Sequence, residues 1–471
     1  MEILAKNREA DLETDVLVLG GGGAGLTAGL TAAGQRSEGG GVLILEKMLR
    51  PLCNTARSGG MIPAAGTRFQ REAGIEEGPE DFAGDIFRKN RHQSDPGATR
   101  VLTETAPRMV EWLVDEAGVR LELEDSFRYP GHSRCRMHVP PDRTGYSLIH
   151  DLEMAVSRAG IDLVKGAAGQ GLLVDEDGAV CGAVVRQGRE TLRIRARRVI
   201  LATNGFGGNP VLIARHCPAA AGGLYFGGEG STGEAIGWGE ELGAATAFMD
   251  AFQGHATVAA DQGTLITYAV VMEGGVLVDR DGRRFGDETE GYSEFSLKVL
   301  ARPGKTAWAV YDHTVHERGM AFADYRDAAA TGAFREAGSV TALAERTGMP
   351  AAALNGTLKD YAAAARGERP DAFGRQDCRE PGRPLVAVRV TGALLHTQGG
   401  LVVDEHARVL RPDGSRIPGL YACGGVAAGI SGHGAAGYLS GNGLLTALGY
   451  GWLAGRHAGS NHSEPNAQGE F

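Results

Sequence analysis

The chain has 471 residues, 42% of them apolar and 23% charged, a balance that suits a globular protein of about two domains and excludes a chain disordered throughout. Its 58 acidic and 48 basic residues leave a net charge of −10, with no cationic surplus from which to build a nucleic-acid face. Six cysteines (Cys53, Cys135, Cys181, Cys217, Cys378 and Cys423) form no C-x-x-C pair, which argues against a zinc ribbon, a cluster site or a dithiol centre and for reduced thiols in a cytoplasmic protein.

In chain order, the start "MEILAKNREADLETD" is polar and acidic, so neither a signal peptide nor an anchor is expected, and no apolar run is long enough to span a bilayer. Val16 to Leu19 then read as a buried strand running into Gly20, Gly22 and Gly25, with a helix from Ala24 to Ala33. In this G-x-G-x-x-G arrangement Gly20 makes the tight turn, Gly22 admits a diphosphate to the backbone and Gly25 lets helix and strand pack closely. Val42 to Lys47 form a second strand, and its Glu46 stands 21 residues beyond Gly25, where an acid accepts hydrogen bonds from a ribose. Strand, turn, helix, strand and acid in this order point to an adenine dinucleotide.

The polar, small-residue stretch Asn54 to Gln70 suits backbone wrapping around a second ring system. Val101 to Val114 carry apolar residues at helical spacing, and "AVCGAVVRQ" and "TLRIRARR" read as short strands of an antiparallel insert at about 162 to 200. The strand "VILAT" follows. Near the far end come Gly399 and Gly400, a strand at Leu420 to Cys423 closing on Gly424 and Gly425, and a helix whose amino end lies near Asn442 and Leu444. The tail "GSNHSEPNAQGEF" reads as frayed. With 73 glycines spread over the chain, close backbone approach to a large ligand is expected in several places.

Taken together, "DVLVLGGGGAGLTAGL", "NTARSGG", "RVILATNGFGGN", "FQGHATV", "GGVLVDRDGRRFGDE" and "GLYACGG" resemble the flavoprotein subunit family of fumarate reductase and succinate dehydrogenase, which also contains aspartate oxidase and the 3-ketosteroid dehydrogenases. "LAERTGMPAAALNGTLKDYAAAARG" looks like that family's helical connection back to the flavin domain. The resemblance implies an α/β fold: a Rossmann-like FAD-binding domain of the glutathione reductase/fumarate reductase type at 1–252 and 385–471, with an inserted α+β cap at 253–384. It implies FAD held by Gly20, Gly22, Ala24, Gly25, Glu46, Lys47, Asn54, Thr55, Ser58, Gly59, Gly60, Ala202, Thr203, Gly205, Gly424, Gly425, Asn442 and Leu444. Members that attach flavin covalently place a histidine just before the paired glycines. Leu52, Cys53 and Asn54 stand there instead, so the FAD is expected to be noncovalent, with Cys53 the alternative attachment point.

Fumarate reductases of this family clamp two carboxylates with arginines and deliver a proton from another arginine. By that resemblance the positions of the family's proton-path glutamate and arginines hold Tyr268, Val271 and Tyr292, and the late substrate arginine falls on or beside Tyr438, a pattern that resembles the 3-ketosteroid dehydrogenase branch. That resemblance implies that Tyr438 and the N–H groups of Leu439 to Gly441 hold a ketone oxygen, while Tyr268 or Tyr292 removes the α-proton. His255, His433, Arg283 or Arg284 would lower the pKa of the tyrosine base. His255, with Arg134, Arg136 and His138, leaves room for one substrate carboxylate, which makes 4-oxocyclohexanecarboxylate a candidate beside steroids and simple cyclic ketones. A desaturase passing electrons to oxygen, a quinone or a soluble carrier is expected. A double-bond reductase, or a noncatalytic FAD subunit that needs a partner, is the alternative.

Overall fold

The computed structural model describes residues 2–3, 10–35, 41–50 and 52–460. Most of the polar start before residue 10 and the tail from 461 therefore lie outside the described residues. Two sheets organise the rest.

The first sheet has nine strands. Strand β1 (Leu12–Leu19) leads through the glycine turn into helix α1 (Gly23–Gly34), and strand β2 (Val42–Glu46) returns beside it. Val16 to Leu19 lie parallel to Val42 to Leu45 on one side and to Arg198 to Leu201 on the other. Strands buried on both faces read as continuous apolar runs, which is why this segment was legible as a core strand. Helix α2 (Pro96–Asp115), begun by the Asp95 cap on Ala98 N–H, covers the predicted helical stretch. Strand β3 (Asp162–Lys165) pairs parallel with β2, so it belongs to the main layer and not to the antiparallel insert expected there. The insert itself is the meander of β4 (Ala167–Val174), β5 (Val180–Gln187) and β6 (Glu190–Leu201).

The second sheet lies over the first layer's carboxyl end. Strand β7 (Phe252–Ala259) carries His255, helix α3 (Tyr292–Leu300) begins with Tyr292, and strand β8 (Thr306–Asp312) follows. Strand β9 (Leu385–Thr397) pairs with both strands and with Phe334–Ala337. Residues 385–397 thus belong by hydrogen bonding to the cap sheet, and the return to the first sheet comes later, through β10 (Arg416–Ala422) beside β6. The segment resembling a helical connection forms the helices Val340–Thr347 and Ala351–Ala365, which pack on the cap sheet.

Helix α4 (Asn442–Gly459) closes the fold by lying along α1. A Cβ at Gly451 would stand 2.5 Å from the Ala24 carbonyl oxygen, one at Gly455 2.2 Å from that of Ala28, and one at Gly459 2.3 Å from that of Ala32. Glycine every fourth residue on one helix faces alanine every fourth residue on the other, so the two backbones touch. Part of the glycine surplus expected to line a ligand serves this contact.

In an exposed helix Gly→Ala stabilises by about 1 kcal/mol. Gly455→Ala is expected to do the opposite, lowering stability by about 2 kcal/mol and the FAD content of the purified protein, because its methyl overlaps a backbone oxygen. A thermal midpoint equal to or above wild type would contradict this packing account.

Candidate active site

A cavity of about 510 Å³ opens between the two sheets, and its wall runs from the β1–α1 turn to the cap. At one end, Gly20, Gly22, Gly23 and Ala24 bring the first turn of α1, whose N–H groups lack intrahelical acceptors, to the cavity. Glu46 accepts from Gly21 N–H at 2.8 Å and Met48 N–H at 2.7 Å, which orients the carboxylate and leaves lone pairs on both oxygens. Further along lie Asn54, Thr55, Ser58, Gly59, Ala202, Thr203, Gly424, Gly425 and Leu444.

Other expected cofactor residues sit behind this wall. A Cβ at Gly25 would lie 1.8 Å from the Gly20 carbonyl oxygen and one at Gly205 2.1 Å from Thr397 Oγ1, so both glycines serve packing. Gly60, at φ +69°, donates to Ser58 Oγ at 3.1 Å. Asn442 is fully buried against Ser431 Oγ. Lys47 reaches the cavity with its ammonium held by Thr232 and Glu234.

FAD fits this wall on a test internal to the structure. Three buried donors that line the cavity, Asn54 Nδ2, Arg57 Nε and Thr203 Oγ1, have no protein partner. Orphaned buried donors are costly, and a large polar ligand in the cavity satisfies them. Arg57, 6.0 Å from the Phe226 ring, and Cys53, whose thiol is pushed up by burial, belong to the same loop.

At the other end the cap adds a cluster of rings. His255 stacks on Tyr292 at 5.0 Å, Tyr268 meets both edge-on, Tyr292 approaches Tyr438 at 6.3 Å, and His396 lies 5.7 Å from Tyr438. Each hydroxyl has a different partner. Tyr268 donates to the Glu288 carbonyl at 2.8 Å, Tyr292 pairs with Ser440 Oγ at 3.0 Å, and Tyr438 accepts Gly443 N–H at 3.3 Å. Gly441, at φ +86°, starts α4 here, so Tyr438 sits at the positive end of an 18-residue helix.

The structure corrects two expectations. No group lowers the pKa of these phenols on balance: burial pushes all three up, Tyr268 further because of the Glu288 carboxylate. For Tyr438 the N–H groups of Gly443 and Gly441 pull the other way but lose to burial, and they face the phenol oxygen. The groups expected to assist are engaged elsewhere: His433 with Asp250 at the surface, Arg284 with Glu288 and Asp371, while Arg283 is exposed. The expected carboxylate site also fails to assemble. Arg136 is buried on Glu77 and Asp85, His138 is held by Thr67 and the Ile62 carbonyl, and Arg134 is exposed, none of them on the cavity wall. His255 alone of that set faces the cavity, and its Nδ1 accepts Thr257 N–H.

Sequence reasoning gave no role to His396, the Ser440 hydroxyl, the Arg57 side chain or the aromatic wall of Phe127 and Tyr129. His396 was within reach, since it lies three residues before the Gly399–Gly400 pair already singled out. Phe127 and Tyr129 sit in an irregular loop with no periodicity to mark them.

Fold and cavity are those of an FAD-binding flavoprotein, and the relatives that the chain resembles are oxidoreductases by name. Residues 15–444 match the family described as FAD binding domain. The chain is 32% identical to the NADH:fumarate oxidoreductase of Klebsiella pneumoniae (strain 342) over 96% of its own length, but spans only about half (48%) of that relative. Among solved structures, an open conformation of a flavocytochrome c3 fumarate reductase superposes with a TM-score of 0.82 at 31% identity, covering 96% of this chain and 78% of that one. The 3-ketosteroid-Δ4-(5α)-dehydrogenase of Rhodococcus jostii RHA1, in complex with 4-androstene-3,17-dione, superposes at 0.77 with 26% identity, covering 98% and 100%. The chain belongs to the fumarate reductase/succinate dehydrogenase flavoprotein family, and its cofactor is FAD. No helix among the described residues is long and apolar enough to cross a membrane.

Burial holds four histidines neutral, His132 and His255 down to about 3, His138 and His396 to about 4. Each folded value lies below the ordinary 6.5, so the unfolded chain binds protons first as pH falls. Stability is expected to be intact above about pH 6.5 and to drop steadily from there towards about pH 4, where His138 and His396 titrate in the folded chain, and on towards about pH 3 for His132 and His255. Urea midpoints measured across that window would test this, and a flat series would contradict it.

Proposed function

We propose that this protein is an FAD-dependent dehydrogenase that introduces a C=C bond α,β to the ketone of a neutral cyclic substrate. The observation that carries the reading is the ring cluster of Tyr268, Tyr292, Tyr438, His255 and His396, set where a dicarboxylate enzyme would need exposed cations. The two arginines on the cavity wall do not serve as such a clamp. Arg143 is tied to Glu124, and Arg57 lies on the cofactor loop. The whole-length likeness to a ketosteroid dehydrogenase supports the same reading. With Arg136 held by Glu77 and Asp85 and Arg134 exposed off the cavity wall, a ring carboxylate such as that of 4-oxocyclohexanecarboxylate loses its support, and a ketone without one is preferred.

Noncovalent FAD, when bound, supplies the two-electron acceptor for the hydride that leaves the β-carbon. Tyr438, its oxygen already accepting backbone N–H, has its own O–H to donate to the substrate oxygen, and this donor stabilises the enolate as charge develops there. Tyr292 is the better candidate for the α-proton, because the Tyr268 hydroxyl is committed to Glu288 inside the cap. His255 stays neutral and fixes the Tyr292 ring by stacking. Phe127, Tyr129 and Phe322 complete an apolar wall that keeps water from the enolate. Electrons then leave to an external acceptor such as oxygen, a quinone or a soluble carrier.

A second reading is favoured by one observation. Phenols pushed up by burial are proton donors at neutral pH, which suits reduction of an enone by the same groups. The two directions separate by pH. Desaturation needs the ionised Tyr292 and should rise steadily above neutrality, whereas reduction should stay flat and fall only in alkali.

The experiment is an anaerobic titration of the flavin band with cyclic ketones, with and without a ring carboxylate. Bleaching is expected with the neutral ketones. Tyr438→Phe and Tyr292→Phe should each lower kcat/KM by about 10²-fold or more, and Tyr268→Phe by less than about 5-fold. Failure of every ketone to bleach the band, with reoxidation of the dithionite-reduced protein by an enone, would establish the reductase instead. Unchanged turnover and ligand binding in Tyr438→Phe would refute the carbonyl assignment.

A further inference from the structure

Behind the turn that carries Tyr438 and Ser440 lies a buried group that no step above uses. His132 Nε2 is 3.0 Å from the Ser440 carbonyl oxygen, and His132 Nδ1 is 3.0 Å from Arg136 Nη1. A guanidinium only donates, so Nδ1 is the acceptor, Nε2 carries the proton, and the ring donates to Ser440. Arg136 is itself immobilised. Its Nη1 lies 2.6 Å from Asp85, its Nε and Nη2 bond Glu77 at 3.0 and 2.7 Å, and its guanidinium lies over the Phe82 ring. Asp85 in turn accepts from the backbone N–H and hydroxyl of Ser133 and pairs with Arg88. On the cavity side the Ser440 hydroxyl meets Tyr292 at 3.0 Å.

The turn is wedged at two more points. At Gly131, φ +85°, a Cβ would stand 2.6 Å from Leu439 Cδ1, and at Gly441 one would stand 2.7 Å from Pro63. An ion cluster wholly inside a protein gains little net stability but holds a unique arrangement. Here the arrangement ends on the carbonyl of Ser440, two residues before the start of α4 at Asn442.

We propose that His132 is a positioning residue: by holding the Ser440 carbonyl it fixes the 438–441 turn in the orientation that aims the Tyr438 and Ser440 hydroxyls into the cavity, without touching substrate itself. The consequence for catalysis rests on the ketone-side reading above. The positioning does not, and the experiment keeps the two apart.

Holoenzyme containing 3-fluorotyrosine is compared by 19F NMR, with the Tyr438 resonance assigned through Tyr438→Phe. In His132→Phe that resonance is expected to move, while His132→Gln, whose amide retains a donor, brings it back towards wild type. His138→Gln, an equally buried change that makes no contact with the turn, leaves it in place. A para-substituted phenol, a planar mimic of an enolate, is then titrated against the flavin band. His132→Phe is expected to bind it about 10-fold more weakly than wild type, with His132→Gln within about 3-fold. FAD content and thermal midpoint are recorded for each, and His132→Leu replaces the phenylalanine variant if that one does not fold. A Tyr438 resonance unmoved in the apolar variants, or moved equally by His138→Gln, overturns the proposal. Should wild type bind no phenol, the ketone-side reading fails, and the resonance alone decides the positioning.

Discussion

The contact on which the rest of the molecule depends is the one between the first and last long helices. Because Gly451, Gly455 and Gly459 present bare backbone to the carbonyls of Ala24, Ala28 and Ala32, α1 and α4 lie closer than any side chains would allow. Both helices begin at the cavity, so this closeness brings two first turns and two positive dipole ends to opposite parts of one site. One end opens on the cavity wall of Gly20, Gly22 and Gly23. The other holds the oxygen of Tyr438.

Much of the charge near the ring cluster is tied up in the scaffold, while Arg143, Asp324 and Asp327 also line the cavity. Arg284, Arg375, Glu288 and Asp371 form a buried network inside the cap, where Arg375 also bonds the carbonyls of Val271 and Gly275. Arg136, Glu77 and Asp85 form another beneath the Ser440 turn. Both are too well neutralised to bind a substrate carboxylate. What they leave at the ring cluster itself are phenols and imidazoles, suited to a carbonyl oxygen whose charge develops only during reaction. Buried ion networks cost desolvation, and their return is a single geometry at the site.

How much was legible follows from what each signal depends on. The β1–α1 turn, β2 with Glu46, the start of α4 and the glycines Gly20 and Gly22 were readable because their constraints are local: φ/ψ limits, strand burial and helix periodicity act within a few residues. The assignment of β3 to the insert failed because only its pairing with β2 decides which sheet it joins. Residues 385–397 were assigned to the cofactor domain for the same kind of reason, since strand partners lie far apart in sequence. Arg136 looked available because a string of residues does not reveal that Glu77 and Asp85 reach it from well upstream.

The sequence by itself determined that a strand, a glycine turn, a helix and a second strand ending in Glu46 follow one another in the order of a dinucleotide-binding unit, and it led to the expectation that tyrosines stand where related enzymes carry charge. Tertiary structure alone decided which of those tyrosines offers its hydroxyl to the cavity, because that depends on whether Glu288, Ser440 or Gly443 stands beside it. It also decided their protonation, since burial by residues from both sheets outweighs every nearby charge. Local sequence sets the conformations the backbone prefers, but desolvation and hydrogen-bond partners are supplied by distant parts of the chain.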